Sequence, residues 1–187
     1  METDRIDLQA LTESLPPSLF ATPLDRIFAD HFRQRTLCRV FDRIAEGAAA
    51  PPVLIGAAVR FLATQIEVHW TDEEDDLFPL LRSRATADDR IQDILTSLAR
   101  DHDASRLAHD RILDGLGQID RAGGTPAPAL AAMLHDFATR ERRHLCLENA
   151  IVLPIARARL GHQDLVVLGQ RMAARRGVPL VMTEYVK

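Results

Sequence analysis

Two stretches far apart in the chain carry one pattern, a histidine with a glutamate four residues on: His69-x-x-x-Glu73 and His144-x-x-x-Glu148. Each glutamate is followed six residues later by a proline, Pro79 and Pro154. On an α-helix, residues four apart stand above one another on the same face, so each copy offers an imidazole and a carboxylate to one point in space. Such a pair is half of a metal site. The copies lie 75 residues apart, and His31 and His102 are separated by nearly the same interval. Each half of the chain thus reads as a helix with one histidine followed by a helix with His-x-x-x-Glu.

Every one of these residues interrupts an apolar stripe. His31 lies among Leu24, Ile27, Phe28, Cys38 and Phe41, and His102 among Ile91, Leu95, Leu98, Ile112 and Leu116. His69 and Glu73 break a stripe of Phe61 or Leu62, Ile66, Leu77 and Leu80; His144 and Glu148 break one of Leu134, Phe137, Ile151 and Ile155. Stripes at this spacing face a helical core. Burying the carboxylates unpaired costs several kcal/mol each, so protein or metal must partner them. A single such histidine is more often a hydrogen-bonded core residue; six groups in a repeated pattern, with only Arg106 as a cation on the same stripes, point to metal. Two carboxylates in one pocket favour a dinuclear centre, and mixed imidazole and carboxylate donors suit iron, manganese or zinc.

The elements that position these groups are helices. The apolar period is helical almost throughout, without the sustained alternation of strands. An irregular arm runs through about Thr22, which caps a first helix opening with Pro23 and Asp25 and stopping near Gly47. Ala48 to Pro52 form a link. A second helix runs from about Pro52 to Arg84, with Pro79 kinking or ending its regular part. Thr86, followed by Asp88 and Asp89, caps a third helix reaching about Arg121. Gly123, Gly124, Thr125 and Pro126 make a turn with a following cap, and a fourth helix continues to about Leu160, bent or interrupted at Pro154. Gly161 precedes a shorter helix from Gln163 to Arg176. The fold class is all-α, an antiparallel up-down-up-down four-helix bundle over residues 23–160, with an N-terminal arm (1–22) and a C-terminal helix and tail (161–187).

The 187 residues suffice for one domain with a core that needs neither disulfides nor metal. A net charge of -4 with dispersed basic residues does not call for nucleic acid, and no apolar run approaches a membrane span. The start lacks an apolar leader segment, which leaves the cytoplasm as the expected compartment. Cys38 and Cys146 are expected as free thiols there.

A ferritin-like di-iron site places Glu-x-x-His on two helices. Glu141-x-x-His144 fits that spacing, but Ile66 stands where the second copy needs its glutamate. The chain instead resembles the bacterial hemerythrin-like family with its His-His-Glu cation-binding domain, over about residues 23 to 160. The resemblance rests on His31, on His69-x-x-x-Glu73 running into Pro79, on His102, and on His144-x-x-x-Glu148 ending at Leu153 and Pro154. It implies two iron ions, with manganese or zinc as alternatives. His31 and His69 would bind one, His102 and His144 the other, and Glu73 and Glu148 would bridge them. Oxygen-carrying hemerythrins have a further histidine one turn after the third-helix ligand, where this chain has Arg106. The resemblance implies a protein that binds oxygen, peroxide or nitric oxide for sensing, storage or oxidant defence. An enzyme acting on peroxide or nitric oxide and a metal-dependent interaction module are the alternatives, and a protein partner or homodimer stays open.

The remaining candidates carry plainer expectations. His109 is a core or supporting histidine, His135 a surface residue and His162 a cap or turn residue. Glu74, Asp75 and Asp76 form a solvated face, with Glu74 able to accept from a ligand. Glu141 is expected to orient a ligand imidazole, Trp70 to pack between helices, and Arg106 to neutralise a carboxylate near the site. Cys146 and Cys38 are mainly small hydrophobes with a lesser case for redox chemistry.

Overall fold

The computed structural model describes residues 8–47 and 51–179. The first seven residues of the expected arm, the link at 48–50 and the tail from 180 lie outside the described residues. Six helices follow in order: α1 (Gln9–Thr12), α2 (Pro23–Ala45), α3 (residues 52–84), α4 (Gln92–Ala122), α5 (residues 128–159) and α6 (His162–Arg175), with short 3-10 helices at Pro17–Ala21 and Ala87–Asp89. Among the described residues no helix is long and apolar enough to cross a membrane.

α2 to α5 form the bundle, and their direction can be read from two apolar clusters. One holds Leu37, Phe41, Ile66, Trp70, Ile112, Leu116, Leu134 and Phe137. The other holds Ile27, Leu77, Leu81, Leu95, Leu98, Val152, Leu153 and Ala156. Along α2 and α4 the chain leaves the second cluster, passes His31 or His102, and enters the first. Along α3 and α5 it runs the opposite way past the His-x-x-x-Glu motifs. The four helices therefore alternate in direction, and the polar residues form a layer between two dry ends.

Several boundaries differ from the sequence expectation for local reasons. Thr22 occupies the cap position of α2, where its backbone carbonyl accepts from Asp25 at 2.9 Å, but its side chain makes no cap bond. The arm is not irregular: Leu11 and Phe20 are buried, one in each cluster. Thr86 caps the 3-10 turn, giving Asp89 its backbone N–H at 2.6 Å. Arg90 then turns left-handed at φ 48°, so α4 starts only at Gln92. No threonine caps α5, which opens at Pro128 after Ala127. His162 is the first residue of α6, whose start is fastened by Asp164 accepting from the Gly161 N–H at 3.0 Å.

The prolines neither end nor interrupt their helices. Each follows a π-helical turn, Asp72–Leu77 before Pro79 and Glu148–Val152 before Pro154, and α-helix resumes at Phe78 and Leu153. Proline lacks the N–H for the bond four residues back and its ring crowds that carbonyl. A preceding wider turn relieves both, and the rod continues. The wider turn also changes which residues face inward. Steps of four stay in phase, so Val152 and Ala156 are buried behind Glu148, whereas Ile151 and Ile155 are half-exposed. Leu80 likewise lies only partly buried. Phe28, placed on the inner stripe of α2 by its period, is 40% exposed and stacks edge-on with Phe32.

α6 packs across α2 and the π turn of α3, with its Gly169 against the 3-10 helix Pro17–Ala21. A Cβ on Gly169 would stand 2.0 Å from the Phe20 carbonyl oxygen, a backbone atom that cannot move alone. A Cβ on Gly115 would meet only the end of the Leu130 side chain, at 2.8 Å. Gly169→Ala should therefore cost about 1–3 kcal/mol in urea denaturation, and Gly115→Ala less, since the Leu130 side chain can shift while the roughly 0.5–1 kcal/mol gain in helix propensity is common to both. Equal losses for the two variants would contradict this account of the crossing.

Candidate metal centre

His31, His69, Glu73, His102, His144 and Glu148 meet in the polar layer, none more than 2% exposed. Two overlapping groups emerge. His31, His69, Glu73 and Glu148 each present an atom within 4.8 Å of the others, as do Glu73, His102, His144 and Glu148. The two glutamates belong to both.

The oxygens of each carboxylate divide between the histidine pairs. Glu73 Oε1 lies 3.6 Å from His31 Nε2 and 3.3 Å from His69 Nε2, while its Oε2 lies 3.5 Å from His102 Nε2. Glu148 Oε2 lies 3.4 Å from His31 Nε2, and its Oε1 lies 3.1 Å from His144 Nε2. The Nε2 atoms of His102 and His144 face each other at 3.0 Å. Two nitrogens at about 2.0–2.1 Å from one ion, at right angles, stand about 3 Å apart. Both Glu73 oxygens, both Glu148 oxygens, His31 Nε2 and His69 Nε2 are buried without a hydrogen bond. Buried carboxylates in that state cost several kcal/mol, and a cation among them removes the cost. The donor set fits a transition metal.

The rear nitrogens explain why the Nε2 atoms face inward. His31 Nδ1–H donates to Asn149 Oδ1 at 2.7 Å, and His102 Nδ1–H donates to Glu74 Oε1 at 2.7 Å. Such bonds fix the tautomer and leave Nε2 as a lone-pair donor. Asn149, inside the π turn Glu148–Val152, was missed by the sequence reading; a polar residue beside a glutamate has no periodic signature. His144 Nδ1 has only Asp101 Oδ2, at 3.8 Å. Trp70 and Phe78 enclose the His102 ring, stacked at centroid distances of 5.4 and 6.2 Å.

Arg106, one turn beyond His102, turns away from Glu73 and Glu148. It binds Glu74 through two nitrogens at 3.0 Å each, reaches Glu67 at 3.0 Å, and lies over the Trp70 ring. Glu74 is thus the acceptor the sequence allowed for. Its carboxyl is held below the ordinary range because the His102 and Arg106 bonds outweigh its partial burial.

Other expectations need correction. Glu141 is buried but does not orient a ligand: its Oε1 has no partner, and burial raises its pKa against the pull of nearby histidines. Asp76 is not on a solvated face; it and Asp72 are buried by the π turn and paired with arginines of α6 and of the residue after it. Arg26 and Arg33 are also buried, so Arg106 is not the sole cation near these stripes, although neither pairs with Glu73 or Glu148. Cys146 is exposed on the outside of α5, and burial raises the thiol pKa of Cys38 far above the ordinary range. His109 stays outside both groups and donates to the Leu62 carbonyl at 3.1 Å. His135 and His162 are exposed.

Burial alone would keep His69 neutral, but the negative charge of Glu73, 3.3 Å away, outweighs it and lifts its pKa to about 9. His144 is raised well above 6.5 against burial by Glu148 and Asp101. Glu73, opposed by burial, is held well below the usual carboxylate range by His69, His31 and His102.

A model of the hemerythrin HHE cation-binding domain family matches residues 22–156. No curated protein matches the chain.

Because the folded-state pKa of His69 lies above its ordinary value, its contribution to stability is whole below about 6.5 and is lost as pH rises through 9. His144, likewise raised by Glu148 and Asp101, contributes in the same sense, and Lys187 and Tyr185 are the only lysine and tyrosine. The chelator-stripped chain should lose urea resistance between pH 7 and pH 9.5, and cation uptake at pH 7.5 should release protons to the buffer. A flat stability profile with no proton release would refute the assignment.

Proposed function

Since the chain belongs to the hemerythrin HHE cation-binding domain family, we propose that it is a cytoplasmic non-haem di-iron protein that binds oxygen, peroxide or nitric oxide for sensing, storage or protection from oxidants. Residues 23–160 form the cation-holding bundle, flanked by the arm and by the C-terminal helix and tail. His31 and His69 would hold one ion and His102 and His144 the other, with Glu73 and Glu148 shared between them. The observation that carries this reading is the division of each carboxylate between the two histidine pairs, one oxygen to each side.

Four side chains would hold each ion, and solvent or a small molecule would complete the set. Bound iron would supply electron transfer and open coordination there. The chain's own residues set the conditions. Asn149 and Glu74 hold the imidazoles of His31 and His102 in one tautomer. Trp70 and Phe78 keep the His102 ring in plane, and the two apolar clusters limit water at the layer. Arg106 occupies the place where oxygen carriers have a further histidine, and its guanidinium is committed to Glu74 and Glu67. That commitment favours sensing, storage or oxidant defence over simple oxygen carriage.

Protein purified without a polyhistidine tag after iron-replete growth should contain about two iron ions per chain and a near-ultraviolet band that changes on reduction. Glu73→Ala and Glu148→Ala should each lose most of that iron while keeping their helical circular dichroism. Well under one transition metal per wild-type chain would overturn the reading. Nitric oxide added anaerobically to the reduced protein should change its visible spectrum, and no change would remove the small-molecule role.

A further inference from the structure

The family match ends at residue 156, yet the chain beyond it is fastened to the π turn that carries Glu73. Arg175 donates from Nη1 to Asp72 Oδ1 at 2.8 Å, and its other terminal nitrogen contacts Asp76. Arg171 Nη1 donates to the second Asp76 oxygen at 2.7 Å. Arg176 Nη2 lies 2.7 Å from Asp72 Oδ2 and 4.0 Å from Asp30, which Arg33 holds at 2.9 Å. The result is a ladder of alternating charges: Arg171, Asp76, Arg175, Asp72, Arg176, Asp30, Arg33. Asp72 directly precedes Glu73, Asp76 follows it by three residues, and both are fully buried.

A π turn is rare geometry that recurs at functional sites. The planar fork of Arg175 spans both aspartates of the turn, a link that the point charge of a lysine does not reproduce. α6 is itself confined by the contact of Gly169 with Phe20, while Arg26 and Arg176 cover the Phe20 ring. From this arrangement we infer that Arg175 and Arg176 are positioning residues for the cation centre: they fix the turn that aims the Glu73 carboxylate, so that the C-terminal segment governs how long the centre retains its ions. The inference rests on Glu73 acting as a ligand.

Two measurements on the full-length chain separate the ideas. The first is release of iron(II) to a coloured ferrous chelator under anaerobic conditions. The second is backbone amide exchange over residues 72–77 in the iron-free chain. Arg175→Ala should speed release about 10- to 100-fold and raise exchange in that segment while leaving α4 protected. Arg175→Lys should fall between Arg175→Ala and wild type. Arg84→Ala, which breaks only the exposed pair with Asp164 at the start of α6, should match wild type in both. Wild-type release and exchange in Arg175→Ala would overturn the inference, as would equal acceleration in Arg84→Ala. If wild type takes up no iron, the ligand reading has failed, and unchanged exchange in Arg175→Ala would then reject the support of the turn separately.

Discussion

Two carboxylates stand at the centre of this bundle among four imidazoles, removed from water and without a conventional hydrogen bond. Much of the architecture follows from that arrangement. Like charges in a dry interior repel, so positive charge must come to this pair of carboxylates, as protons on the histidines or as metal. The surrounding helices then have a narrow task. They must deliver six side chains to one layer and keep competing donors away. The arginines Arg106, Arg26 and Arg33 are each engaged elsewhere, on Glu74, on the Phe20 ring or on Asp30.

The π turns are the local solution. Each glutamate lies in one, Asp72–Leu77 or Glu148–Val152, and each of these two precedes a proline, unlike the third at Leu62–Ile66. One extra residue per turn keeps four-residue steps on the inner face, so His69, Glu73, Leu77 and Leu81 line up, as do His144, Glu148, Val152 and Ala156. The same widening draws Asp72 and Asp76 inward, where they become the attachment points of the C-terminal segment.

What could be read from sequence followed from periodicity. The gathering of His31, His69, Glu73, His102, His144 and Glu148 in one buried layer, the four bundle helices and their alternating direction were legible because His-x-x-x-Glu recurs on apolar stripes of constant phase. Reading failed where phase or distance changed. Ile151 and Ile155 were placed in the core because an α-helical period was carried through Glu148–Val152, where the helix is wider. Asp76 was read as solvated because its partners, Arg171 and Arg175, are some 95 residues downstream, and ion pairs between distant segments leave no local pattern. Asn149 and the start of α4 were missed for a similar reason: one is a single polar contact, the other a left-handed residue, Arg90, whose type gives no warning.

The internal repeat makes the two halves look equivalent, yet their histidines are held differently. His69 has an unpartnered rear nitrogen, whereas His102 is bound at the rear by Glu74 and pressed between two rings. One of those rings belongs to Trp70, the single tryptophan of the chain. Its indole is fully buried and stacked on an imidazole whose other edge faces the carboxylates. The molecule's one strong fluorophore is therefore placed against its most charged interior surface, and its emission is an internal gauge of whatever occupies that space.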